Sequence, residues 1–321
     1  MKKFLRWVLI IMVSVACIAC GKDDEGDYGN TDNTENNGGD NGNSDGDNSD
    51  EDDGGGDNTE EEQPSVELIN IPDESFKAYL VGAFDTDQDG EISVEEAQQI
   101  TDISYGCQNN TDIVSIEGIE HLTNLQKATH AFDGCTSLKY VPDLRFTINN
   151  EEEDPADFSY MFLNCDALEN IDAIAFSGDG YFNATEMFGP IAPLKALKEL
   201  ELSAYPVING VYFMFGIYGS DIETIDSIVL RENDANYYGL FWSLPNLQST
   251  TFTGKCTPWG ICMHTQEKLS VDSFQSLFEA LLPVDDGRGI RLGDYNKSRI
   301  PDEVKQIALD KGYQLDTFYA E

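Results

Sequence analysis

The sequence predicts an α/β fold in which short strands with buried aliphatic positions stack behind a single helix–loop–helix. Two observations carry this expectation. Two segments, Phe132–Phe146 and Phe162–Phe176, align without gaps at a spacing of 30 residues. Phe132 falls on Phe162, Cys135 on Cys165, Leu138 on Leu168, Val141 on Ile171, Leu144 on Ile174 and Phe146 on Phe176. Upstream, a twelve-residue acidic loop, Asp85–Glu96, lies between two runs with helical character.

The chain opens on a leader. Lys2, Lys3 and Arg6 form a positive start, and Leu5 to Ile18 is almost continuously apolar. That run is too short and too N-terminal for a membrane-spanning helix and reads as an export signal. It ends in Cys17-Ile18-Ala19-Cys20-Gly21. A small residue followed by Cys at this point resembles the lipobox of bacterial lipoproteins. The resemblance implies a signal peptide over 1–19 and lipidation of Cys20, with Cys17 as the alternative acceptor. The following Lys22-Asp23-Asp24-Glu25 resembles the surface-export signal of Bacteroidota-type lipoproteins. An outer-membrane lipoprotein, anchored through its N-terminal lipid and exposed at the cell surface, is the location this implies.

Charge narrows the partners. The 321 residues carry 60 acids against 19 bases, a formal net charge of −41. Nucleic acid is excluded as a partner, since phosphate binding needs clustered Lys and Arg. A polybasic grip on an anionic membrane is excluded likewise. Residues 20–63 are nearly devoid of apolar side chains, with 17 acids and one Lys between 22 and 63. Such a segment cannot bury enough surface to offset its ordering entropy, and its charges repel. An acidic disordered tether is expected there, with the ordered part beginning at residue 64.

Residues 64–102 form the next unit. Phe76, Leu80 and Phe84, with Tyr79 and Ala83, recur at helical spacing, and Asp73 and Glu74 suit a first turn. The loop that follows offers oxygens at positions 1, 3, 5, 7, 9 and 12: Asp85, Asp87, Asp89, the carbonyl of Glu91, Ser93 through a water, and Glu96. Gly90 holds position 6, where the chain must turn sharply, and Ile92 is the apolar link to the core. This matches the EF-hand pattern, which implies Ca2+ as the bound ion. No second loop of this register follows, so weak binding is expected, with a dissociation constant of about 10⁻⁴–10⁻³ M.

Over 103–268 the anchors Leu125, Leu138, Leu168, Leu197, Ile222 and Leu247 recur at intervals of 13 to 30 residues. Apolar cores at such a period predict a leucine-rich-repeat solenoid, whose units cover one another's apolar faces. The irregular repeat length and the aromatic-to-Cys start resemble the leucine-rich repeats of BspA-type bacterial surface proteins. Residues 269–321 read as a terminal cap. Ser270 can cap a helix carrying Phe274, Leu277 and Phe278, Gly289–Leu292 is a short strand, and Pro301 opens a second helix that ends before Gly312.

The remaining candidates for chemistry are sparse. Cys135 and Cys165 are expected as buried thiols. Cys256 and Cys262 could pair or stay free, and Cys107 has no assignment. His121, His130 and His264 stand in no metal spacing, and no nucleophile elbow is present, so the chain is not expected to be an enzyme. Tyr205, Tyr212, Tyr218, Tyr237, Tyr238 and Trp242 serve packing or, alternatively, a binding face. The BspA-type resemblance implies adhesion, that is, non-catalytic binding of an extracellular protein or glycan. The alternative is a glycan-capture accessory lipoprotein of a polysaccharide uptake system.

Overall fold

Periodic apolar residues become helices at the two ends of the described chain. A computed structural model describes residues 66–316 apart from 190, 192–193, 208–210, 212–213, 217–219, 233–236, 238 and 259–260. The leader, Cys17, Cys20, the tether, Tyr212, Tyr218 and Tyr238 lie outside the described residues. Those described fall within one unit, Glu62–Glu321. Among them no helix is long and apolar enough to cross a membrane.

Helix α1 spans Glu74–Phe84 and buries Phe76 and Leu80. Asp73 caps it, its Oδ1 accepting from the Ser75 and Phe76 amides, which satisfies donors that a helix start leaves unpaired. Helix α2, Val94–Gln99, begins in a capping box between Ser93 and Glu96.

The strands follow. β1 (Tyr140–Val141) and β2 (Leu144–Ile148) both pair with β4 (Asn170–Gly178), which continues to β6 (Ala196–Leu202), β8 (Thr224–Leu230) and β9 (Ser249–Gly254). Every pairing in this sheet is parallel. Leu144, Ile174, Leu200, Ile228 and Phe252 stand in register across it and are buried. A second parallel sheet interleaves with the first along the chain: β3 (Ala156–Asp157), β5 (Tyr181–Asn183) and β7 (Tyr205–Pro206). A third consists of β10 (Ile261–Cys262), β11 (Gly289–Arg291) and β12 (Gln314–Leu315).

The 30-residue spacing reappears as pairing register, Val141 with Ile171, Leu144 with Ile174 and Phe146 with Phe176. The expected leucine-rich-repeat solenoid does not. The described residues form three separate parallel sheets with strands of two to nine residues and five α-helices. Between 103 and 139 strand pairing is limited to isolated bridges, beside one 3-10 turn at Ile119–His121. Of the six aliphatic anchors only Leu197 sits in a strand, while the others are buried in turns and connections. An apolar period reports which side chains are buried, whereas the backbone ladder decides which residues form a sheet. The α/β class stands.

Aromatic rows fill the core. Phe132, Phe162, Phe188 and Phe215 stack in succession with ring centroids 5.6, 5.3 and 5.4 Å apart. Phe76 of α1 closes this row edge-on, 5.7 Å from Phe132. Beside it runs Tyr105–His130–Tyr160, stacked at 5.4 and 4.8 Å. These three residues share a positive φ near 60°, an unusual backbone for non-glycine side chains.

At the far end, α3 (Val271–Ala280) closes the open edge of β9. Its Ser273 and Ser276 hydroxyls accept from the Thr250 and Phe252 amides, so the edge is not left to pair with another chain. Helix α4 (Gly293–Arg299), which the sequence reading missed, and α5 (Asp302–Asp310) complete this end. The Cys256–Cys262 pairing is not made. Both are free buried thiols, as are Cys107, Cys135 and Cys165.

Candidate metal centre

The loop between α1 and α2 is shaped by its own side chains. Asp85 Oδ1 accepts from the Gln88 amide at 2.6 Å, and its Oδ2 from the Gly90 amide at 2.9 Å. Asp87 and Asp89 each accept from the amide two residues on, the Asx-turn that short acidic side chains favour. Gly90, at φ 86°, takes the left-handed turn without steric cost.

One carboxylate oxygen from each of Asp85, Asp87 and Asp89 lies within 4.8 Å of the others, so this cluster could hold a metal ion. The Asp89 amide pulls the Asp87 carboxyl down. Desolvation and the neighbouring charges of Asp89, Glu96 and Asp85 outweigh that bond and leave Asp87 above its ordinary value. Like charges held this close favour a proton or a cation among them.

The other expected ligands are placed differently. Glu96 is buried and falls outside the cluster. Its Oε1 accepts from the amide and hydroxyl of Thr86, and its Oε2 from those of Ser93. The Ser93 amide leads these bonds, which outweigh burial and hold the Glu96 carboxyl down at about 2. All four acceptor positions of this carboxylate are therefore in use. The Glu91 side chain turns back to α1, pairing with Lys77 at 2.6 Å. Sequence reasoning missed Lys77 and Thr86. Thr at the second loop position was legible, but its contact with position 12 depends on loop closure.

The loop is also tied to the chain before α1. The Ile69 amide donates to the Ile92 carbonyl, and the Val94 amide to the Glu67 carbonyl, in an antiparallel bridge between Leu68 and Ser93. Residues 67–69 thus cover the loop backbone beside Ile92, which is fully buried.

The other candidates are occupied in packing. Tyr237 is fully buried, its hydroxyl donating to the Leu202 carbonyl and accepting from the Arg231 amide. The Trp242 indole donates to Cys262 Sγ at 3.2 Å. His264 Nδ1 lies 2.7 Å from the same sulfur, and His130 Nδ1 lies 2.9 Å from Asp133. Burial pushes the Cys262 thiol up and the His264 imidazole down, so both neutral forms are favoured.

Fold and site together define a class, an α/β protein of parallel sheets bearing an oxygen-rich, cation-competent loop between two helices. Neither a scan against protein-family models nor a search of curated proteins matches the chain.

Proposed function

We propose that the chain is a calcium-binding, non-catalytic surface lipoprotein that binds extracellular macromolecules. The observation that carries the calcium reading is the gathering of the Asp85, Asp87 and Asp89 carboxylates around a loop turned at Gly90. All the expected donors are hard oxygens, and calcium takes six to eight of these in flexible geometry, whereas magnesium demands a tight octahedron. The Glu91 carbonyl, Ser93 through a water, and Glu96, on giving up part of its bonds to Thr86 and Ser93, would complete the set. Calcium supplies charge neutralisation and cross-linking. The chain's own residues hold the loop open for it, with Asp85 fixing the turn and Lys77 keeping the Glu91 side chain aside. The lipid anchor at Cys20 and the tether over 20–63 put the ordered unit outside the membrane, and adhesion is the role that fits.

Calorimetric titration with calcium chloride tests the site. Wild type should give a saturable heat, Asp87→Asn a weaker one, and magnesium little at equal concentration. Glu96→Gln should lose binding even though its amide can keep part of the Thr86 and Ser93 network. Equal heats from wild type and both variants would remove the site.

A further inference from the structure

We infer that the solvent face of the main sheet carries a binding groove for a neutral, polyhydroxylated ligand, an oligosaccharide. The groove is about 480 Å³, within the range of about 300–1,000 Å³ typical of ligand sites. It exists because β4 turns small side chains outward. Ala173 stands in register with Glu199 of β6, and Ala175 with Arg145 of β2. Of the two, Ala173 lines the groove, a small residue among the long charged side chains of Arg145, Lys198 and Glu199.

The lining selects the chemistry. Asp172 accepts from the Tyr140 hydroxyl at 3.2 Å and pairs with Lys198 at 2.7 Å. Glu199 pairs with Arg145 at 3.0 Å, and Arg145 also reaches Asp143. Both cations are therefore already compensated by carboxylates of the groove itself. A phosphate, sulfate or uronate would have to break these pairs, and the net charge of −41 repels it further. Hydroxyl groups both donate and accept, so they can add to each ion pair without separating it. Tyr140, half-buried beside the buried Pro142 and Ala173, offers apolar surface to the C–H face of a sugar ring.

This inference shares with the proposed function only the idea of non-catalytic binding, and it does not need the cation loop. The test is calorimetric titration of the full chain with neutral hexasaccharides of the malto, cello, xylo, laminari and manno series, run in calcium and again in chelator. At least one should bind, with heparin silent. Tyr140→Ala and Lys198→Ala should each weaken binding by about tenfold. Ala173→Leu, which keeps every charge but fills the groove, should abolish it. Glu96→Gln should bind as wild type does, which separates this site from the calcium reading. Thermal melts of each variant check that it is folded. No binding across the series, undiminished binding by folded Ala173→Leu, or preference for heparin would each overturn the proposal.

Discussion

Asp73 does two jobs with one carboxylate. Its Oδ1 caps α1, and its Oδ2 accepts from the amides of Val114 at 2.8 Å and Ser115 at 3.2 Å. It thereby fastens the helix of the acidic loop to the chain that leads into the main sheet. Burial alone would raise this carboxyl, but the amides of Val114, Phe76, Ser115 and Ser75 outweigh it and hold it below its ordinary range. A carboxyl depressed on folding stabilises most where the unfolded chain is already ionised, above about pH 4, and that contribution disappears as pH falls through the folded value. Asp73→Ala should cost about 1–2 kcal/mol at neutral pH. It should also flatten the acid side of the stability curve, which denaturant melts from pH 2 to 7 would record. The sequence marks Asp73 as an acid at a helix start. It says nothing of Val114 and Ser115, because such contacts depend on the path of the intervening chain.

At the scale of elements, the aromatic rows separate what sequence could and could not reveal. Phe132 and Phe162 were visible as an aligned pair, and they stack. The row's end was not visible. The motif Asp102-Ile-Ser-Tyr-Gly-Cys107 aligns with Lys127-Ala-Thr-His-Ala-Phe132, Asp157-Phe-Ser-Tyr-Met-Phe162 and Asn183-Ala-Thr-Glu-Met-Phe188. Cys107 thus holds a phenylalanine position. Its smaller side chain leaves the face of Phe132 to Phe76, which arrives from a different element. The left-handed residues Tyr105, His130, Tyr160 and Glu186 fall at one place in this motif, a recurrence that hydrophobic spacing alone does not show. Phe162→Ala removes a ring packed on both faces and should cost about 3–5 kcal/mol in urea denaturation. Cys107→Phe should also destabilise, because Phe76 already occupies the room it needs.

Over the whole molecule, the period of apolar residues correctly marked the interior and misjudged the architecture. The anchors are buried, yet among the described residues the sheets run, Leu197 apart, through other residues, in three separate ladders. The acidic loop was the more legible feature, since its register is local and each Asp bends the few residues beside it. Calcium at about ten times its dissociation constant should add roughly 1.4 kcal/mol to unfolding. In a unit of this size that is a rise in melting temperature of about 3–6 °C, erased by chelator and smaller in Asp87→Asn. Scanning calorimetry with and without calcium would show it, and an unchanged melting temperature would speak against a cation that supports the fold.

The bridge between Leu68 and Ser93 places the start of the described chain directly against the acidic loop. A pull arriving along the chain at Val66 falls first on two backbone hydrogen bonds, from Ile69 to Ile92 and from Val94 to Glu67. Those bonds flank the residues that follow the acid triplet. If the loop takes up a cation, mechanical load on the chain and the salt composition of its surroundings would converge on one clasp, and the force needed to open it would gauge the ambient cation.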